Sequence, residues 1–539
     1  MNNKLLLLII IASFLLILDL GKWGLQETSE ARYAEISREM VVNNNYIHPT
    51  LLGIYHYHKP PITYQITALG YKIFGINEFG ARFFLQVAII LQLLLVYKIA
   101  ILLFSNRDIA LTSALIYFSL PIVLISSRNL TTDAYLNTFI LASICSWLVY
   151  KTKNKPFYLL IFYISIGIAF EIKGPVSLIF PLVFMLFYKI ANKDRLKFSF
   201  YHLFGAILFL AISSVWYIIV FIENKSVFDY FIKDQIIDRI ASKSFNRSKP
   251  FWFYLLTVPL IGLPWIFILL HRTKSNWKKL FQEKSTEFVL IISTIVLVII
   301  FSLFKTKLIL YILPAFGFIA IASAKAISNS TNKNLRLYNK VLIVLSLLFL
   351  LALFVINQLN TNFKFNIVFS LIILVISAIT FVAVHKKNFS TNYLKTAILS
   401  FIFGSIILVS GTQFLIQNEE NLSSPKKAIE FINNLDNTNN ILVYNYLISS
   451  APFYSNKNII TLNNGHNTVQ RETQFEKNLN WKNSLINLKT EEGREKTELL
   501  FNNNSVLLTR KKHQLPKKLN YLKENLKHRK DFGNWVVHY

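Results

Sequence analysis

The chain has 539 residues, 53% of them hydrophobic and only 16% charged, with 46 Phe. That composition excludes an ordinary soluble domain, which carries about a quarter charged residues. The formal net charge of +29 points first to nucleic acid, but the Lys and Arg residues are spread through short loops between apolar runs, where they set membrane orientation instead.

A run of about 20 apolar residues crosses a ~30 Å hydrocarbon core. Thirteen such spans are predicted, at about 4–20, 83–104, 108–126, 132–150, 157–171, 174–191, 200–222, 253–271, 286–304, 307–324, 339–357, 365–385 and 394–416. The predicted fold is therefore an α-helical polytopic membrane domain over 1–420, followed by a small soluble domain over 421–539, for which the resemblance described below implies an α/β fold. The first run starts after Lys4, ends in Asp19 and lacks a small-residue cleavage site, so it reads as a retained span. With the N-terminus inside, the inner loops collect Arg107, Lys151, Lys153, Lys193, Arg195, Arg272, Lys274, Lys333 and Arg336. The short outer loops carry only Arg128, Lys173, Lys305, Lys307 and Lys364. The positive-inside rule then predicts a cytoplasmic N-terminus and, after thirteen spans, an outer C-terminal domain. Both long connections, 21–82 and 223–252, fall outside. The single Cys145 lies within an apolar run, so no disulfide forms within the chain.

The first outer segment begins "ETSEARYAEISREM" (27–40). Thr28 or Ser29 can cap a helix there, with Glu30 in its first turn and Glu35 and Arg38 spaced for a surface pair. "YHYHKPPITYQITALGYKIFG" (55–75) follows. Pro60 and Pro61 suit a helix start, and Ile62, Ile66, Leu69 and Ile73 mark one apolar face of an interfacial helix. Lys59, on the rigid Pro-Pro shoulder, is a candidate cation for a phosphate. His56 and His58 alone are a weak metal signal, so no metal is required, although a divalent ion is left open. Arg128 and Asp133 enter the fourth span, either as a pair closing the loop or as functional groups. "EIKGP" (171–175) adds Glu171 and Lys173, and "KTKLILYILP" (305–314) adds two lysines before a span. In the second long connection, Asp234, Asp238 and Arg239 precede the aromatic "PFWFY". Cations suit a phosphorylated ligand, and a carboxylate suits a general base.

These motifs, "EARYAEISREM", "HKPPITYQ", "TKLILYILP" and "PFWFY…GLPW", resemble those of the bacterial lipid A aminoarabinose transferases. That family stands with the protein O-mannosyltransferases among the C-type, polyprenyl-phosphate-dependent glycosyltransferases. The resemblance covers about residues 1–420 in order and spacing. It implies a C-type glycosyltransferase fold of about 13 membrane helices, a site at the outer face of the bacterial inner membrane, and an undecaprenyl-phosphate-linked sugar as donor. It also implies inversion on transfer to a lipid A, glycan or protein acceptor, with membrane lipids as surroundings and no nucleic acid as partner. Lys59, Lys307 and Tyr311 carry over from its motifs; taken with the residues read above, Arg32, Lys59 and Lys307 are the expected donor-phosphate cations and Glu30 and Asp133 the expected catalytic carboxylates. Glu27, Tyr33, His58, Arg128, Lys173 and Tyr311 then line the cavity. The family's acidic pair before Ala-Arg-Tyr is Ser29-Glu30 here, so its Asp is missing and Glu30 or Glu27 must serve. Its Glu-Lys-Pro-Pro is His58-Lys59-Pro60-Pro61. A transporter or flippase of a lipid-linked substrate is the alternative. It expects charges at the membrane midplane and repeated halves, and the chain shows neither.

Overall fold

The computed structural model of the chain describes residues 3–193, 199–233, 248–283, 285–359, 361–436, 438–464, 468–524 and 526–539. Asp234, Asp238 and Arg239, singled out above, lie outside the described residues. Apolar runs fold as helices because lipid offers no partner for an unpaired backbone N–H or C=O. In chain order come α1 (Asn3–Ile17), α2 (Ser29–Val42), an antiparallel hairpin of β1 (Thr50–Leu51) and β2 (Ile54–Tyr55), α3 (Ile62–Phe74) and α4 (Glu78–Phe104). Then follow α5 (Arg107–Ser119), α6 (Pro121–Ser127), α7 (Thr132–Lys153), α8 (Phe157–Lys173), α9 (Val176–Asn192), α10 (Phe200–Glu223) and α11 (Lys225–Tyr230). Further apolar helices run to Asn392–Leu422.

Among the described residues, six helices are long and apolar enough to span, or eight if each bent pair counts as one span. The sequence expectation of thirteen is not reached on those terms, for identifiable reasons. The predicted span at 108–126 is the pair α5–α6, bent by 64° where Pro121 starts a new helix. The span at 253–271 is likewise two helices, bent by 105°. Asn3–Ile17, Val176–Asn192 and Ala315–Ser328 are apolar but short.

Polar side chains stitch the bundle internally. Gln92 on α4 accepts from Tyr117 on α5 (2.6 Å) and Asn137 on α7 (3.0 Å), and donates to the Ala134 carbonyl (2.8 Å). All three side chains are buried, where each such bond is worth making because the alternative is an unpaired polar group in oil. α3 and α4 cross at Gly70 and Gly80: a Cβ on Gly70 would stand 2.2 Å from the Gly80 carbonyl oxygen. The side chains of α3 sort as expected for an interfacial helix. Leu69 and Ile73 face outward, while Tyr64, Thr67, Ala68 and Tyr71 pack inward.

The C-terminal region forms a six-stranded sheet of order β5-β4-β3-β6-β8-β7. Its strands are β3 (Asn440–Tyr444), β4 (Asn458–Asn463), β5 (Leu485–Asn487), β6 (Ser505–Arg510), β7 (Arg529–Phe532) and β8 (Trp535–His538). β3 to β6 are parallel, and β8 and β7 close one side antiparallel. Apolar clusters cover both faces, as a parallel sheet requires.

The outer segment departs from a helix resting on the surface. Glu30, Tyr33, Glu35 and Glu39 on α2 are all buried, and Thr28 makes no side-chain cap bond. Glu35 holds Arg38 through two bonds of 2.8 Å. Glu30 is locked to Arg82 of α4 at 2.8 and 3.1 Å, and it accepts from the Gln26 N–H at 2.9 Å. Arg82 also donates to the carbonyls of Leu20, Trp23 and Gly24 and lies 4.0 Å over the Trp23 ring. Removing one partner of such a buried pair costs about 3–5 kcal/mol, because the other charge is stranded. Glu30→Ala should therefore lower the melting temperature of the detergent-solubilised protein well beyond the effect of Glu492→Ala, an exposed pair. Adding Arg82→Leu should restore part of the loss. An unshifted Glu30→Ala melt would contradict this anchoring role.

Candidate active site

The site forms where α2, the β-hairpin, the loops before α7 and after α8, and the C-terminal region converge. Its first group is an ion pair. Lys173, at the end of α8, donates to Asp133 in the first turn of α7, and Thr131 donates to the other carboxylate oxygen at 3.4 Å. The Lys173 ammonium also stands 3.9 Å over the Tyr311 ring. The Tyr33 phenol, on α2, is held against ionisation by burial and by the Asp133 charge, with Thr132 opposing. Sequence separation of 40 residues between Asp133 and Lys173 is bridged because α7 and α8 are antiparallel neighbours.

The second group lies around Arg32. Glu27 accepts from the Ser450 N–H at 2.8 Å and the Ser450 hydroxyl at 2.7 Å. Its second oxygen is buried with no hydrogen-bond partner. Burial pushes the Glu27 carboxyl up to about 7, against the pull of the Ser450 bonds and the Arg32 charge. Arg32 is half-buried, and its Nε is unpartnered. Beside it, His56 Nδ1 and His58 Nε2 each lie 3.8 Å from a Glu472 oxygen, and His58 Nδ1 is 2.6 Å from the Tyr230 hydroxyl. Burial holds both imidazoles neutral, below the usual range. Glu472 stays ionised, because His58 and Arg471 outweigh the cost of its burial. Two neutral imidazoles and one carboxylate, with ligand atoms all within 4.8 Å of one another, are the one group among the described residues that can hold a metal ion. They suit a divalent ion that accepts nitrogen and oxygen ligands.

A cavity of about 440 Å³ reaches one residue of each group, Lys173 and His58. His58, Lys59, Pro60 and Lys173 form its polar end, while Phe170, Phe209, Tyr217, Phe221 and Phe231 form an apolar wall. This is the shape of a slot for an apolar chain with an anionic head.

The C-terminal region closes the assembly. Glu419 accepts from the Gly24 N–H (2.6 Å), Tyr454 accepts from the Leu25 N–H (2.7 Å), and Lys426 pairs with Glu78 (2.8 Å). Glu476 accepts from the Tyr55 N–H (2.7 Å).

Several sequence assignments need correction. Glu30 has both oxygens committed to Arg82 and so offers no open carboxylate. Glu27, which the sequence leaves less fixed of the two because it precedes the helix, is instead held by Ser450. Arg128 neither pairs with Asp133 nor lines the cavity. Its guanidinium caps the end of α1 through the Leu15 and Leu16 carbonyls, and it bonds Gln86 and Thr412 as well. Lys307 is buried and donates to the Lys249 carbonyl at 2.9 Å; it lies outside the cavity lining, as do Arg32, Glu27, Tyr33 and Tyr311. Ser450, Glu472 and Arg82 had no sequence signal, since each acts on a group 52 or more residues away.

Residues 58–219 match the family model described as dolichyl-phosphate-mannose-protein mannosyltransferase. The undecaprenyl phosphate-alpha-4-amino-4-deoxy-L-arabinose arabinosyl transferase 2 of Proteus mirabilis is 32% identical over 56% of this chain and 55% of its own. That of Photorhabdus laumondii is 30% identical over 61% of each. The chain thus spans little more than half the length of these curated relatives. The solved structure of ArnT from Cupriavidus metallidurans in the apo state covers 99% of this chain and 97% of its own, with a TM-score of 0.78 at 18% identity. The structure of the same protein bound to undecaprenyl phosphate gives 0.78 at 18%, over 100% and 98%. The chain has this C-type glycosyltransferase fold along its whole length, and in sequence and fold it is similar to the undecaprenyl-phosphate aminoarabinose transferases, as its outer-segment motifs imply.

Proposed function

We propose that the protein is a membrane glycosyltransferase that moves one sugar from a polyprenyl phosphate to an acceptor at the outer membrane face. The observation that carries the reading is the 440 Å³ cavity with aromatic walls and a mouth set by Lys59 and Lys173. The names of the relatives, and the undecaprenyl phosphate bound to the protein of like fold, supply the donor class. No observation favours a transporter, since the charged groups of the candidate site sit together at one end of the helices.

In the transfer, an acceptor oxygen attacks the anomeric carbon as the bond from that carbon to the phosphate oxygen breaks. The polyprenyl phosphate leaves with an added negative charge. Lys59 and Arg32 are fixed cations for that charge, and fixed electrostatics of this kind commonly supplies most of an enzyme's rate enhancement. Lys173 is already paired to Asp133 and holds the mouth in shape. A phosphate acceptor arrives ionised and needs no base. A hydroxyl acceptor must lose a proton, and Glu27 is the group to take it. Lipid A, a glycan and a protein remain alternative acceptors. The same reading places the enzyme in the inner membrane with the N-terminus cytoplasmic, and makes residues 421–539 a soluble domain at the outer face. Its support is the loop-charge asymmetry.

Three outcomes are expected. A reporter that fluoresces only in the cytoplasm, fused after Tyr539, stays dark; a bright fusion inverts the topology. Lys59→Ala loses about 2–3 kcal/mol of charged hydrogen bonding to the phosphate, so transfer falls roughly 30–150-fold at about 1.4 kcal/mol per decade. Wild-type transfer by a folded Lys59→Ala protein would sink the assignment.

The third concerns pH. The folded protein binds the Glu27 proton more tightly than a free chain, about 7 against 4.5. The stability this gives is complete below about 4.5 and is lost as pH rises through about 7. Ionised Glu27 appears over that same interval. With a hydroxyl acceptor, kcat/KM should rise with pH through about 7, and Glu27→Gln should abolish the rise and lose about 10²–10⁴-fold in turnover. With a phosphate acceptor, the profile should lack this limb. An unchanged limb in Glu27→Gln would assign the proton to another group.

A further inference from the structure

A second cavity, of about 810 Å³, lies at the opposite membrane end of the bundle. It sits between α1, α4, α5 and α7. Leu5, Leu91, Leu94, Leu95 and Phe139 form its apolar lining, and Lys98 and Arg107 form its charged end. Leu91, Leu94, Leu95 and Lys98 fall at helical spacing on α4, so one face of that helix is oil for about 10 Å and then ends in a cation. Arg107 opens α5 just beyond the end of α4 at Phe104.

No carboxylate among the described residues forms an ion pair with Lys98 or Arg107. Asp108, next to Arg107 in sequence, is turned to Lys4 at 3.6 Å and to the Ser390 hydroxyl at 3.3 Å. A lysine near a helix end often snorkels to the interface with no ligand at all. That reading explains Lys98 alone. It does not explain a cavity that both cations share and whose wall continues down two other helices.

We propose that this cavity binds one anionic glycerophospholipid of the surrounding leaflet, its phosphate between Lys98 and Arg107 and an acyl chain along Leu91, Leu95 and Phe139. Basic pockets between membrane helices on the positively charged side are suited to such headgroups. The polyprenyl phosphate is a poorer occupant, because the cations proposed for its head, Lys59 and Arg32, stand at the other end of the bundle. The lipid would brace α4 against α7, the helices that carry Arg82 and Asp133 at their far ends.

The test uses the full chain, purified in detergent and stripped of lipid, with phosphatidylglycerol, phosphatidylcholine and undecaprenyl phosphate added in turn. Native mass spectrometry counts bound lipid, and thermal melting reads the stabilisation. Phosphatidylglycerol should bind one per chain and raise the melting temperature more than phosphatidylcholine, with the difference shrinking at high salt. Lys98→Gln/Arg107→Gln should weaken phosphatidylglycerol binding by at least tenfold and leave undecaprenyl phosphate binding unchanged. Leu95→Trp, which fills the slot without touching charge, should also displace the lipid. Equal effects of phosphatidylglycerol and phosphatidylcholine, or undiminished binding in both variants, would overturn the proposal. So would loss of undecaprenyl phosphate binding in Lys98→Gln/Arg107→Gln, which would assign the cavity to the donor.

Discussion

The architecture of this end of the bundle depends on the buried pair of Glu30 and Arg82. Arg82 is fully buried, and a guanidinium in that position must have every donor direction answered. It is answered by one carboxylate, three backbone carbonyls and the face of Trp23. Those carbonyls belong to the chain between α1 and α2, so one side chain on α4 fixes the exit of the first membrane helix and the first turn of α2 together. Arg32 and Tyr33 follow Glu30 by two and three residues on the same rigid helix. This anchor helps to set their positions relative to Asp133, together with the packing of Tyr33 on Tyr64.

The C-terminal region acts on the same strip of chain from the other side. Leu25, Gln26 and Glu27 bond to it through Tyr454, Ser423 and Ser450, and Gly24 bonds to Glu419 on the preceding helix, Asn392–Leu422. The strip is held between α4 and side chains more than 390 residues later in sequence. A loop with so many external partners has few conformations left to it. That rigidity suits a site whose chemistry needs fixed charges.

Composition carried the membrane class and the change to a polar C-terminal region, because each is a local property of the chain. The count of spans was less legible. Pro121 sits inside an apolar run that reads as continuous, and the run's hydropathy does not register a 64° break. The site was legible in part. Lys59, His58 and Lys173 were picked out by charge beside apolar sequence, and the structure brings them to one cavity. Glu30 and Arg128 were picked out by the same rule and turned out to be anchors. A buried charge signals strong interaction, but sequence does not say whether the partner is a substrate or another part of the protein. Glu472 and Ser450 lay beyond any local pattern, since only the tertiary fold brings them to the outer segment.

The resemblance implies an Asp where this chain has Ser29, and Glu27 gives that difference a physical meaning. A carboxylate two residues earlier in the chain lies off the helix, so α2 alone would not hold it in place. Here Ser450 supplies the missing constraint with two hydrogen bonds. The same contact removes Glu27 from water, and burial is what lifts its carboxyl to about 7. Position and proton affinity thus share one cause, the seating of the C-terminal region on the strip. A carboxylate within the helix would be placed by the membrane domain alone. If Glu27 is the acidic group of the reaction, then acid–base competence in this protein is a property of the docked assembly, and the C-terminal region is part of the active site.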